Sequence, residues 1–98
     1  MYREIGIGLL LLMSSLGEVH ANRPLPQDVA LFIARRDLCD HFRGEDAYDA
    51  ERKEFLAKRM HEYCDGTDGR LAALKKKYRA KREVMARLSG YETKIEVR

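Results

Sequence analysis

The chain has 98 residues, 36% of them charged, and a formal net charge of +3 at pH 7. This length allows one small domain, and the charged composition excludes a low-complexity chain or a protein that is mostly membrane span. Ala, Leu, Glu, Lys and Arg dominate over β-branched residues, so we predict an all-α fold.

The first 21 residues are typical of an export signal. Arg3 supplies a positive charge, an apolar run follows at 5–13, and Val19 and Ala21 occupy the −3 and −1 positions of a small-residue cleavage site. The alternative is a short N-terminal membrane anchor, but the run is shorter than the roughly 20 apolar residues needed to span a bilayer. We therefore predict a signal peptide at 1–21, cleaved after Ala21, and export to an oxidising compartment.

The mature chain is predicted to begin with an extended leader at 22–27, which contains both prolines. Helix 1 is predicted over 28–42, with Asp28 as its N-cap and Gly44 at its end. Its apolar stripe is wide enough to predict a largely buried helix. The stripe consists of Val29, Phe32, Ile33, Arg36 and Cys39, widened by Leu31, Leu38 and Phe42.

A polar connection at 43–49 precedes helix 2, which is predicted over 48–64. Asp46 or Asp49 can cap this helix. The glycines at 66 and 69 then predict a break in the chain.

Cys39 and Cys64 are the two cysteines of the chain, and export predicts that they pair. In a tight antiparallel hairpin, about 24 Å of helix would separate them, whereas a disulfide needs Cα atoms about 5.5–6 Å apart. Three solutions remain: a stretched 43–49 connection, a steep crossing of helices 1 and 2, or an intermolecular bridge. We favour an intramolecular bridge with a long, ordered connection.

Helix 3 is predicted over 68–89, with Thr67 or Asp68 as its cap. Residues at alternating spacings of three and four form a seam, which favours packing against the other helices over a dimer interface. The seam consists of Leu71, Leu74, Tyr78, Lys81, Met85 and Leu88. This completes a three-helix domain at 28–89. The tail, 90–98, is predicted to be frayed or to continue the helix.

No catalytic or metal site follows from these residues. The two cysteines together with His41 and His61 could bind zinc, but a disulfide would leave no thiolate ligand. The acidic residues of 40–54 lack the ligand order of an EF-hand, and Ser89 has no recognisable His–Asp partners. We therefore predict no metal, no cofactor and no enzyme activity.

The charges are separated along the chain. Residues 40–68 are mainly acidic, whereas Glu83 is the only acid among many bases at 70–87. The basic helix either lies against the acidic stretch and is otherwise solvated, or binds an acidic protein or an anionic surface. Export and the lack of interleaved aromatic residues argue against nucleic acid. The candidate interaction surface consists of Arg43, Glu45, Asp46, Tyr48, Lys75, Lys76, Arg79 and Arg82.

Two strings carry a resemblance to known proteins. The segment 39–45 (CDHFRGE) and the segment 64–68 (CDGTD) resemble those of small exported proteobacterial proteins that are functionally uncharacterised. This resemblance implies a Gram-negative envelope location and a structural disulfide, but no activity. Helix 3 is more loosely similar to helical periplasmic lysozyme inhibitors, although the additional cysteines and the Asn-Cys patterns of those domains are missing here.

The leading hypothesis is thus a small periplasmic, non-enzymatic binding protein with an envelope protein or an anionic surface as its partner. The alternative is a periplasmic inhibitor of a hydrolase such as lysozyme. We expect no transmembrane span in the mature protein, and we favour a monomer over a dimer.

Overall fold

The computed structural model describes residues 24–96, which form four helices. These are α1 (Gln27–Arg43), α2 (Ala50–Cys64), α3 (Thr67–Lys77) and α4 (Arg82–Leu88). Within 24–96 there is no β-strand, so the all-α prediction is confirmed for this part of the chain. The predicted signal peptide, 1–21, and the end of the predicted tail, 97–98, lie outside the described residues.

The start of α1 differs from the prediction. Pro26 occupies the N-cap position, with φ −55° and ψ 146°, a φ that its ring fixes. The prediction of Asp28 as N-cap is therefore wrong, because Asp28 lies inside the first turn. Its carboxylate accepts hydrogen bonds from Lys77 Nζ at 2.7 Å and from the Tyr78 hydroxyl at 2.8 Å. Asp28 thus joins the start of α1 to the end of α3.

The predicted boundary between α1 and α2 is confirmed. α1 ends at Gly44, whose N–H donates to the carbonyl of Asp40 at 3.2 Å. Asp49, one of the two predicted caps of α2, accepts a hydrogen bond from the Arg52 N–H at 2.7 Å. This bond satisfies one of the unpaired amides at the start of the helix.

Cys39 and Cys64 form an intramolecular disulfide, with Sγ atoms 2.00 Å apart and Cα atoms 5.0 Å apart. The ring centroid of Phe42 lies 6.0 Å from those of both Phe55 and Tyr63. Those two rings are separated by two turns of α2, or about 12 Å along its axis. The last turn of α1 therefore lies beside the middle of α2, and the connection at 44–49 carries the chain away from the bridge before α2 returns to it.

The hydrophobic core lies between α1, α3 and α4. Leu25, Tyr78 and Tyr91 pack around it, while α2 buries Leu56 outside this cluster. The prediction that α1 is largely buried holds for one face only, because Leu31 is 63% exposed and Leu38 is 41% exposed. The core consists of Val29, Phe32, Ile33, Leu71, Leu74, Val84 and Leu88.

The predicted third helix is interrupted between α3 and α4. Tyr78 (φ −107°, ψ 22°) and Lys81 (φ −102°, ψ 101°) both leave the helical conformation. The predicted seam contained Lys81, which is exposed, whereas Val84, outside that seam, is buried. The break thus places the apolar side chain of Val84 in the core and leaves the charged side chain of Lys81 in solvent.

The tail is neither frayed nor helical over 90–96, because it is bound to a buried arginine. Arg36 is 1% exposed. Its Nε donates to Asp40 Oδ1 at 3.1 Å, its Nη1 to Thr67 Oγ1 at 3.2 Å and its Nη2 to the carbonyl of Glu92 at 2.8 Å. The guanidinium also lies 5.3 Å from the ring centroid of Tyr91. One side chain therefore connects α1, α3 and the tail.

The tail also caps α3. The carboxylate of Glu96 accepts hydrogen bonds from the N–H groups of Gly66 and Asp68 at 2.9 and 2.7 Å. In return, the Asp68 carboxylate accepts from the N–H groups of Ile95 and Glu96, both at 3.0 Å. Gly66 has φ 84°, a left-handed conformation that glycine adopts readily. The prediction that Thr67 or Asp68 caps this helix is wrong, since a carboxylate from the far end of the chain performs that role.

Candidate interaction surface

The charged residues beside the disulfide are already paired within the domain. Arg43 Nε lies 2.9 Å from Asp40 and its Nη2 lies 2.5 Å from Glu92. The hydrogen bonds that Arg43 donates to these two carboxylates, Asp40 first, raise the pKa of Arg43. Glu45 forms a bidentate ion pair with Arg52 at 2.6 and 2.8 Å, and this hydrogen-bonded pairing lowers the pKa of Glu45. Arg43 and Glu45 of the predicted surface are therefore engaged in holding the fold.

The other two predicted residues of the connection point to solvent. Asp46 is exposed, and Tyr48 is 79% exposed. Tyr48 borders a shallow depression of about 210 Å³ together with Phe55, whose ring centroid lies 4.6 Å from the Arg52 guanidinium. The connection thus offers an aromatic side chain beside acidic ones.

The second group of predicted residues lies at the junction of α3 and α4. We define the basic surface as Lys75, Lys76, Arg79, Lys81 and Arg82. All are exposed except Lys75, which is half-buried. Across residues 24–96, none of these five side chains forms an ion pair. The adjacent Lys77 pairs with Asp28 at 2.7 Å.

This pairing pattern tests the prediction that the basic helix lies against the acidic stretch at 40–68. Had it lain against the acidic stretch at 40–68, its cations would pair with carboxylates there. Over the described range no ion pair joins the basic surface to 40–68. The acids of that stretch that form ion pairs do so with residues of α1 and α2, as Asp40 does with Arg36 and Arg43. The basic surface is therefore largely exposed and is not paired with that stretch. No hydrogen bond or ion pair in this part of the chain joins it to the predicted residues of the connection.

A hollow of about 480 Å³ beside the disulfide contains the one close His–Asp pair of the described residues. His61 Nδ1 lies 2.6 Å from Asp65 Oδ2. The sulfurs of Cys39 and Cys64 are bonded to each other. Neither is a nucleophile or a thiolate ligand while the bridge is formed. Ser89 lies at the end of α4, where its hydroxyl donates to the carbonyl of Met85 at 2.7 Å.

Sequence reasoning missed one surface feature. A groove of about 530 Å³ runs along the outer side of α1 and contains Leu31, Leu38 and Tyr63. The spacing of seven residues between the two leucines was a usable signal, because it places them on a common line of the helix, beside rather than within the core-facing stripe.

No family model, curated protein or solved structure matches this chain. In the part of the chain that the structure describes, no helix is both long and apolar enough to cross a membrane.

Proposed function

We propose that this protein is a non-enzymatic periplasmic binding protein whose basic surface recognises an acidic protein. The observation that carries the proposal is the clustering of unpaired cations. Four arginines of α1 and α2 pair with carboxylates. Arg35, Lys53 and Lys58 of those helices form no ion pair over residues 24–96 but are scattered, whereas the five unpaired cations of the basic surface lie together within 75–82. Adjacent like charges repel, so an anionic partner would find a surface with little intramolecular competition.

The chemistry of the same surface favours an acidic protein over a membrane. A helix that binds a lipid surface places large apolar side chains on its membrane-facing side. The exposed uncharged side chains near the basic surface are alanines, at 72, 73 and 80. The formed disulfide supports an oxidising compartment, in agreement with the predicted export signal.

Site-specific photo-crosslinking in exporting cells tests the proposal. A photoreactive residue at Ala80, which is exposed within the basic surface, should give covalent adducts with an acidic protein. The same residue at Ala47, which is exposed in the connection, serves as the position control. Adducts at Ala47 alone, or adducts at Ala80 with lipid alone, would contradict the proposal.

Paired charge variants supply the second control. Lys76→Gln with Arg79→Gln removes two positive charges from the basic surface. Lys53→Gln with Lys58→Gln removes two from the exposed side of α2. Surface charge contacts contribute about 0.2–1 kcal/mol each, so we expect the first variant to weaken binding about fivefold and the second to leave it unchanged. Equal effects of the two variants would show that binding depends on net charge alone and would overturn the proposed surface.

A further inference from the structure

The groove on the outer side of α1 is a mainly apolar feature that the packing of 24–96 leaves open. Leu31 and Leu38 are two of the four large hydrophobic residues that are substantially exposed there. Both line this groove, together with Phe32 and Tyr63. Two leucines one helical repeat apart lie about 10.5 Å apart along the axis, which is two turns of a helix laid beside them.

The rim of the groove is basic. Arg35 and Arg70 both border it, and Arg70 forms no ion pair among the described residues. Arg35 donates a hydrogen bond to the carbonyl of Glu62, which is not a charged partner. Asp28 is the acid at the rim, and Lys77 and Tyr78 already occupy its carboxylate and lower its pKa. The groove therefore combines an apolar floor with uncompensated positive charge.

We propose that this groove binds an amphipathic helix of the partner that presents two leucine-like side chains on one face and carboxylates beside them. Anchors at positions i, i+3 or i+4 and i+7 of such a helix match the spacing of Leu31 and Leu38. Its carboxylates meet Arg35 and Arg70, and Arg70 lies on α3, the helix whose last turn carries Lys75 and Lys76 of the basic surface. The inference rests on the proposed function for the acidic character of the partner, and it adds the docking element.

Charge argues against a second copy of this chain as the occupant. In a symmetric dimer each patch meets the same patch of the other subunit. A two-fold pairing through the groove would bring Arg35 and Arg70 of one subunit close to the same two arginines of the other. Like charges across an interface are unfavourable. An acidic helix removes this repulsion.

The test uses a fluorescently labelled synthetic helix of 18 residues with leucines in a heptad pattern and glutamates at its exposed positions. A matched peptide carries lysine in place of each glutamate. We expect saturable binding of the glutamate peptide to the exported protein and at least tenfold weaker binding of the lysine peptide, measured by fluorescence anisotropy. Absence of saturable binding of the glutamate peptide up to about 1 mM, about −4 kcal/mol, would overturn the inference.

Two variants locate the binding. Leu31→Ser with Leu38→Ser removes exposed side chains, so the fold should persist, and burial of apolar area predicts about tenfold weaker peptide binding. Tyr48→Ser is the control, since Tyr48 is exposed but lies outside the groove. Arg70→Gln should also weaken binding of the glutamate peptide. Equal binding by the leucine variant and the wild type would refute the groove as the site.

Three results assign the groove to something else or separate the two proposals. A wild-type dimer in sedimentation that the leucine variant abolishes would assign it to a second copy. Peptide binding that appears only when 1–21 are absent would assign it to the chain's own N-terminal segment. Ala80 crosslinks retained in the leucine variant, together with no peptide binding by the wild type, would overturn the groove inference and leave the proposed function standing.

Discussion

Replacing Arg36 with methionine should destabilise the domain strongly. Methionine retains much of the apolar stem but removes a guanidinium whose three nitrogens reach Asp40, Thr67 and Glu92. These acceptors lie on α1, at the start of α3 and in the tail. The substitution therefore removes the side chain that links α1, α3 and the tail to one another.

The contacts set the size of the effect. The bonds to Thr67 and Glu92 are hydrogen bonds from a charged donor, and such bonds contribute about 1.5–3 kcal/mol each. Asp40 keeps Arg43 as a partner, so loss of the Arg36–Asp40 hydrogen bond adds little. Because methionine also avoids burial of a charge, which offsets part of the loss, we expect a net decrease of about 3 kcal/mol in the free energy of unfolding. Domains of this size have total stabilities of about 4–11 kcal/mol at roughly 0.05–0.15 kcal/mol per residue.

The assay is urea unfolding of the disulfide-intact protein, followed by far-UV circular dichroism. Arg35→Met is the neighbouring control, since Arg35 is exposed and binds one carbonyl. Arg36→Lys should recover less than half of the loss, because a single ammonium cannot reproduce the planar fork that reaches three directions. If Arg36→Met and Arg35→Met unfold within 0.5 kcal/mol of each other, the buried arginine does not hold the tail to the helices.

Three further predictions concern the covalent and titratable contacts. Removing the Cys39–Cys64 bridge with a double alanine variant should lower the free energy of unfolding by about 3.5 kcal/mol for a sequence separation of 25, and an unchanged urea midpoint would contradict this. Burial raises the pKa of Asp68, but the backbone N–H groups of the tail outweigh it and hold the pKa below the ordinary 3.8. The stability that ionised Asp68 contributes is therefore present above about pH 4 and lost as pH falls through the lower folded pKa. Asp68→Asn should flatten the acidic side of a plot of urea midpoint against pH. An unaltered acidic side would refute this. Burial, then the hydrogen bond to Asp37, raises the pKa of Tyr91 to about 12. The stability that this shift contributes is complete below about pH 10 and is lost towards pH 12. Tyr91→Phe should abolish the late step in phenolate absorbance, and persistence of that step would assign it to another tyrosine.

The parts of the fold that could be predicted from the sequence depend on neighbouring residues. Gly44 and Asp49 act within one turn of the helices that they end or begin. The chain has two cysteines, so only one intramolecular disulfide is possible. The cap of α3 could not be predicted, because its carboxylate is Glu96, 30 residues from Gly66. Local propensity contains no information about such a contact. The docked tail over 90–96 has the same origin, since its partners lie on α1 and at the start of α3.

The interruption of the third helix has a related cause. The seam through Lys81 fitted the helical period, and nothing in the local sequence forbids a continuous helix. The core decides instead, because burying Val84 beside α1 is favourable and burying Lys81 is not. The candidate surface was predicted in part for a similar reason. The clustering of cations on α3 and α4 is visible in the sequence, whereas the pairing that removes Arg43 and Glu45 from the surface depends on the fold.

The residues of the two sequence strings, 39–45 and 64–68, have structural roles in this domain. In the 39–45 segment, Cys39 forms the bridge, while Asp40 and Glu45 pair with arginines. In the 64–68 segment, Thr67 accepts a hydrogen bond from the buried arginine and Asp68 binds the tail. These strings therefore contribute to how the helices and the tail are joined. The two proposed binding surfaces, the basic surface and the α1 groove, consist of residues outside these strings.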